Sequence, residues 1–450
     1  MLLPCKKHLS FLLVAAILSP TLNAIAQESD TKENKFILSA QLQPRFEIRE
    51  GAFRPLTPTE KPAALISERI RLIMDYSYGD AFSIRISPQS VGIWGQANMV
   101  QGAENSGNQL SLFEAWAKLN ITDAWNVKVG RQVISLDDER FFGELDWAQG
   151  ARAHDAASIH FHQRKWDIKG FFAYNQNYKT LYSNNLSNPT GNLYNTTDAF
   201  SYKWMQTIWS SYQFNKKSKL SLLATNLGLQ QARINSLDTP TYYSQTIGAN
   251  YFFNDKKLIG NASAYYQLGK NATGINTQAY LIAISVGYNL TKNWNMGMGS
   301  EWVSGNDIGK AQTNNTAFNP YFHTGHKFYG SMDYYYAGNA HKNVGLSDNF
   351  VKVNYKTAKG NMVNLAFHQF FTPNTVLDNT NYEYRKNLGQ EVDVSFSYKV
   401  YPFANLTGGY SFYLITPTVN YLKNTPTAHT YQQWFWLSLK VTPTLFKSKF

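Results

Sequence analysis

The stretch FILSAQLQPRFEIR, Phe36–Arg49, alternates between two kinds of side chain. Even positions read Phe36, Leu38, Ala40, Leu42, Phe46 and Ile48, while the odd ones include Ser39, Gln41, Gln43, Arg45, Glu47 and Arg49. Period two is the mark of a β-strand whose faces meet different surroundings. Here one face is greasy and the other charged. The next run sets Ile66, Ile70, Leu72, Met74, Tyr76 and Tyr78 against Ser67, Arg69, Arg71, Asp75 and Ser77; a third sets Phe82, Ile84 and Ile86 against Ser83, Arg85 and Ser87. Further runs follow at Ile247–Phe253, Leu258–Leu268, Tyr280–Tyr288 and Val392–Val400. Strands of soluble sandwiches usually stop at five or six residues. Most runs here reach about nine to fifteen, which suits a tilted strand crossing a bilayer.

Composition agrees. Aromatic residues make up 15% of the chain and charged residues only 16%, against a usual quarter. The first 26 residues read as a secretory signal peptide: basic Lys6 and Lys7, an apolar Leu9–Leu18, and the small-residue cleavage pattern Ala24-Ile25-Ala26. The single cysteine, Cys5, falls within that segment, so residues 27–450 have neither disulfides nor a thiol nucleophile. After the signal no run of 18 apolar residues suggests a spanning helix. The 42 basic and 30 acidic residues leave +12, an excess that favours anionic partners, acidic lipid headgroups among them. Single-stranded nucleic acid would suit basic and aromatic residues, but the signal peptide directs the chain away from it.

Short turns, such as Tyr78-Gly79-Asp80, Asn254-Asp255-Lys256 and Asn289–Asn293, alternate with long segments at Ile93–Gln109, Ser135–Ala151, Asn175–Phe200, Gln230–Tyr242, Asn306–Asn349 and Thr372–Gly389. The expected fold is all-β: one transmembrane antiparallel β-barrel of about 18 strands over residues 27–450, with long extracellular loops and short periplasmic turns. It belongs in the outer membrane of a Gram-negative bacterium. Tyr76, Tyr78, Trp94, Trp125, Trp166, Tyr251, Trp294, Trp302, Trp434 and Trp436 are placed for an interfacial girdle. The last clear strand ends near Val441, and Phe450 is compatible with a terminal assembly signal. No globular stretch precedes the first strand, so no plug domain is expected.

Gly130–Ala157 breaks the rhythm. Trp125, Val127 and Val129 face lipid and Asn126 and Lys128 the lumen, but from Arg131 onward charges crowd among Phe141, Phe142 and Trp147. The segment reads as a loop at the mouth or one folded into the lumen, where opposed charges hold a constriction in place and unmatched arginines meet a solute. Gly130-Arg131-Gln132, Asp138, Arg140, Phe141, Gly143, Trp147, Gln149, Arg152 and Asp155 resemble the signature of the alginate export family of outer-membrane porins. Phe318-Asn319-Pro320, His326-Lys327-Phe328-Tyr329-Gly330 and Met332-Asp333-Tyr334 are similar to the motif of that family's long loop. The resemblance implies an 18-stranded barrel with an arginine-lined lumen passing an anionic polyuronate or similar solute.

The candidate pathway comprises Arg45, Arg49, Arg69, Arg71 and Arg85, whose guanidinium forks suit carboxylates, with Arg131, Arg140, Arg152, His326 and Lys327. Asp138, Glu144, Trp147, Asp155 and Asp333 are the expected supports of the constriction loop. The function expected is passive passage of anionic solutes or polysaccharide, with no cofactor, and with periplasmic export or degradation proteins as partners. A carbohydrate-binding or adhesive barrel with a closed lumen is the alternative. His154, His160 and His162 share one strand face and suit a metal or a base, and Asp137, Asp138 and Glu144 offer carboxylates for a glycosidase pair. No third partner for the histidines is legible, and the arginines around the acids argue for salt-bridged structure.

Overall fold

The computed structural model describes residues 33–51, 53–96, 109–175, 202–230, 240–335 and 341–450. The expected signal peptide lies outside them, as do the loop residues 97–108, 176–201 and 231–239. The strands are β1 (Lys35–Arg49), β2 (Ala63–Tyr78), β3 (Phe82–Ile93), β4 (Gln109–Asn120), β5 (Trp125–Gln132), β6 (His154–Gln163), β7 (Trp166–Tyr174), β8 (Trp204–Asn215) and β9 (Ser218–Gln230). They continue with β10 (Thr241–Asn254), β11 (Leu258–Gly269), β12 (Ala279–Asn289), β13 (Trp294–Val303), β14 (Leu346–Lys356), β15 (Met362–Phe371), β16 (Asn387–Tyr401), β17 (Ala404–Ile415), β18 (Tyr431–Val441) and β19 (Thr444–Lys449). From β1 to β18 each pairs antiparallel with its sequence neighbours, and β18 and β19 both pair with β1. These last two are pieces of one strand, so the structure is a closed barrel of 18 strands. Closure leaves no sheet edge to hydrocarbon, the condition for a β structure to span a membrane.

The closing seam carries the first departure from the sequence reading. The last strand does not end at Val441: it resumes at Thr444, and Phe450 and Asn34 exchange backbone hydrogen bonds of 2.9 and 3.0 Å. Pro443 explains the interruption, because proline gives no N–H to a ladder, and pairing shifts register at Leu38/Ser39. Pro44 sits where the β1–β18 pairing skips from Leu42 to Arg45.

Side-chain exposure follows the alternation. Leu42, Ile48 and Ile70 are exposed on the outer wall, whereas Gln43, Arg45 and Arg69 are buried inside it. The first and last described residues lie at the rim of short turns (79–81, 121–124, 164–165, 216–217, 255–257, 290–293, 357–361 and 402–403), and the long loops form the other rim. Near that second rim the inward positions turn apolar: Met205, Leu227 and Leu281 are completely buried, and they join a core with Phe141, Phe142, Phe322 and Tyr335 from the loops. The core therefore sits inside the barrel mouth. Trp434 and Trp436 belong to it. They point into the lumen, buried, and not to the lipid interface, because β18 places them on the inward parity with Ser438.

Candidate functional site

Loop 133–153, between β5 and β6, folds into the barrel and meets the β13–β14 loop. Phe142 forms a bridge with Phe322, the Gly143 N–H donates to Phe322 O (2.8 Å), and the Thr324 N–H donates to Glu139 O (3.0 Å). A Cβ at Gly143 would lie 2.2 Å from Thr324 Oγ1, so the close approach of the loops requires glycine. Asp137, Glu139, Leu145 and Ala151 adopt left-handed backbone, with φ of 55°, 71°, 51° and 50°. Such residues cost about 1–3 kcal/mol each and persist where surrounding contacts fix them. Here aromatic packing does: Phe142 stacks on Phe322 (5.1 Å between centroids) and Phe141 on Tyr265 (6.0 Å).

The loop is clamped to both walls. Its segment Asp146–Gly150 lies on β1–β3. Arg69, completely buried, donates to the carbonyls of Asp146, Ala148 and Gln149 and pairs with the Asp146 carboxylate at 2.9 Å. Arg45 donates to Trp147 O (2.7 Å), and its guanidinium lies 4.2 Å from the centre of the Trp147 ring. Arg71 stacks on Phe113 (3.5 Å) and lies 3.6 Å from Asp146. Burial raises the Asp146 carboxyl, but Arg69, Lys440 and Arg71 outweigh it and hold the group below its usual range. The loop tip crosses to the far wall. There Asp137 accepts hydrogen bonds from Ser221, Trp209 and Asn250, while Asp138 accepts from Asn261 (2.9 Å) and Arg140 (2.8 Å). Arg140 also pairs with Glu301 on β13. Burial pushes the Asp137 carboxyl above its ordinary range, against the Ser221 and Trp209 hydrogen bonds.

The remaining candidates fall in several places. Arg49 pairs with Glu47 (3.1 Å), and Arg85 lies between Asp75 (2.7 Å) and Glu114 (3.1 Å). Arg152 donates to the carbonyls of Gly143, Phe322 and His323 and so ties the two loops together. Burial, with Arg152 nearby, pushes the His323 imidazole down to about 3. His326 stacks on Trp147 (4.0 Å, 7° between planes) and bonds Asp333 (3.0 Å); exposed Lys327 pairs with Glu139 (2.7 Å). Exposed Glu144 has lost enough water, with Asp146 and Glu139 nearby, to raise its carboxyl. Arg131 and Asp155 pair with each other (3.0 Å) on the outer face of the wall, the face of Val129, while their neighbours Gln132 and His154 are buried inside. Sequence reasoning missed Asp146 as the hub of the clamp, and also Glu301. The parity of β13 places Glu301 inward, but nothing local names its partner.

At the short-turn end the lumen carries a different set of cations. Lys118 and Lys128 stand opposite each other on β4 and β5; Lys169 lies on β7 and Lys219 on β9, all on the inward parity. None has a carboxylate within 4 Å among the described residues. Three rest on ring faces: Lys128 on Trp116 (5.0 Å), Lys169 on Trp209 (5.1 Å) and Lys219 on Phe252 (4.8 Å).

Residues 35–419 match the alginate export family. The chain belongs to that family. It is an outer-membrane β-barrel channel, and the barrel geometry agrees with solved porins at low identity. OccAB1 of Acinetobacter baumannii is similar with a TM-score of 0.62 at 12% identity, covering 91% of this chain and 97% of that one. OccK5 (OpdH) of Pseudomonas aeruginosa gives 0.60 at 11%, covering 92% and 99%. OpdK of Pseudomonas aeruginosa, crystallised with vanillate, gives 0.57 at 10%, covering 90% and 98%. No curated protein matches the sequence.

Proposed function

We propose that this barrel is a passive, anion-preferring channel for small carboxylates and uronate-type oligosaccharides, with no catalytic role. The observation that carries the reading is the set of lumenal ammonium groups at Lys118, Lys128, Lys169 and Lys219, none paired with a carboxylate among the described residues. Basic side chains lining a pore set anion preference without specifying an anion. The arginines act differently: Arg45 and Arg69 donate to carbonyls of the constriction loop, and Arg69 and Arg71 lie against its Asp146 carboxylate. Vanillate in OpdK is an aromatic monocarboxylate, the kind of solute that a loop-narrowed basic lumen suits.

The test is single-channel recording of the refolded barrel in a planar bilayer, followed by uronate oligomers of increasing length. Anion-selective current blocked by the oligomers is the expected result; cation-selective current would sink the reading. The aromatic core that fills the long-loop half favours a second reading, a carbohydrate-binding surface barrel with a closed lumen. Folded protein that stays silent in the bilayer would put that one first.

A further inference from the structure

His160 and His162 stand two residues apart on β6, so both imidazoles turn into the lumen near the short-turn rim, with ring centroids 6.1 Å apart. The third partner that the sequence leaves open is on the next strand. Asp167 of β7 is the cross-strand neighbour of His162, and its Oδ1 lies 2.7 Å from His160 Nε2. One ligand atom from each of the three falls within 4.8 Å of the others. Among the described residues no other group of three His, Cys, Asp or Glu side chains gathers in this way.

We propose that His160, His162 and Asp167 form a binding site for one divalent transition-metal ion, such as Zn²⁺, Ni²⁺ or Cu²⁺, at the short-turn mouth of the lumen. Two imidazoles and one carboxylate are a donor set that these ions accept, whereas Mg²⁺ and Ca²⁺ prefer oxygen alone. At metal–ligand lengths of about 2.0–2.2 Å, tetrahedral donor atoms stand roughly 3.3 Å apart. Small side-chain rotations on a fixed ladder close the difference. The metal takes the position between His160 Nε2 and Asp167 Oδ1, and the neutral imidazole that binds it carries its one proton on Nδ1.

Two neighbours support the arrangement. The side-chain amide of Asn126 lies 3.3 Å from His160 Nδ1, where, with the amide turned over, its oxygen accepts the Nδ1–H of a ring that binds metal through Nε2. Lys169 stands directly across from His160, but its ammonium rests over the Trp209 ring at 5.1 Å instead of on the carboxylate. His162 is exposed while His160 and Asp167 are half-buried, which leaves a coordination position on the His162 side open to water or to a solute carboxylate.

The experiment uses the full barrel, refolded in detergent without a histidine tag. Calorimetric titration with Zn²⁺ is expected to give one ion per barrel, and Cu²⁺-loaded protein is expected to show electron paramagnetic resonance couplings from two imidazole nitrogens. His162→Gln and Asp167→Asn, each verified as folded by its heat-modifiable mobility, should weaken Zn²⁺ binding at least about tenfold. A Cu²⁺ spectrum of the unaltered protein with one imidazole nitrogen or none would overturn the site. So would folded variants that bind Zn²⁺ as tightly as the parent.

Discussion

Arg69 and Lys128 are both inward cations on strands of one wall, yet their surroundings are opposite. Arg69 is completely buried, with three loop carbonyls, Gln43 and the Asp146 carboxylate around it. Lys128 has a Trp116 face beneath it and, among the described residues, no carboxylate within 4 Å. The side chains themselves account for much of the difference. A guanidinium presents five donors in a fixed fork and is weakly hydrated, so it suits carbonyls and carboxylates at close quarters; an ammonium is a strongly hydrated point charge that stays in water. Arg45, Arg69 and Arg71 form a tier that holds the loop; in the proposed function the lysine tier supplies the field.

The hardest blow to this comparison is Arg69→Met. It removes one of the three cations at the partly exposed Asp146 carboxylate, leaving Lys440 and Arg71, and takes a donor from the carbonyls of Asp146, Ala148 and Gln149, at a cost of about 1–3 kcal/mol. The loop segment Asp146–Gly150 should detach, seen as a several-fold rise and increased noise in single-channel conductance. An unchanged trace would mean that Arg69 does not hold the loop. Next in size is Lys128→Gln combined with Lys169→Gln. Unit charges about 4 Å apart in water interact by about 1 kcal/mol, so the double change should lower anion preference roughly two- to fivefold while leaving the noise of the loop unaltered. Retention of full selectivity would contradict the lysine tier.

Acidification separates the tiers again. Because the Asp146 carboxyl lies below its ordinary 3.8 when folded, its contribution to the clamp is complete above that value and is lost only as pH falls through the lower folded value. Conductance noise from loop release should therefore be absent between about pH 5 and 8 and begin below 3.8. Onset near neutral pH would point to another group. The smallest effect belongs to Arg131→Gln, on the outer wall beside Asp155, which should alter neither selectivity nor noise.

The fold was legible because a barrel writes its two faces in period two. Phe36–Arg49 alone shows which side meets lipid, and long and short connections distinguish the rims. Pro443 hid the final strand segment, since one residue without an N–H looks like an ending until β1 is seen pairing on both sides of it. Trp434 and Trp436 were misplaced for a related reason: aromatics at strand ends suit a girdle, and only the inward loop reveals that they have a core to join. The inward arginines could be read from parity, but their partners could not. Asp146 is 77 residues from Arg69 and Glu301 is 161 from Arg140, separations over which no local pattern operates. Arg131 and Asp155 were misread as lumenal, as pathway and loop support, because the alternation looks broken at Arg131; it continues, and Arg131 shares the outward face of Val129.

The central claim is that lysines, and not arginines, give the lumen its preference for anions. Its most direct test is the reversal potential across a KCl gradient for the parent barrel, for Lys118→Gln/Lys128→Gln/Lys169→Gln/Lys219→Gln, and for Arg45→Gln. The account predicts an anion-selective parent, a nearly unselective quadruple variant, and an Arg45→Gln channel as selective as the parent. An Arg45→Gln channel that loses its selectivity while the quadruple variant keeps it would contradict the account.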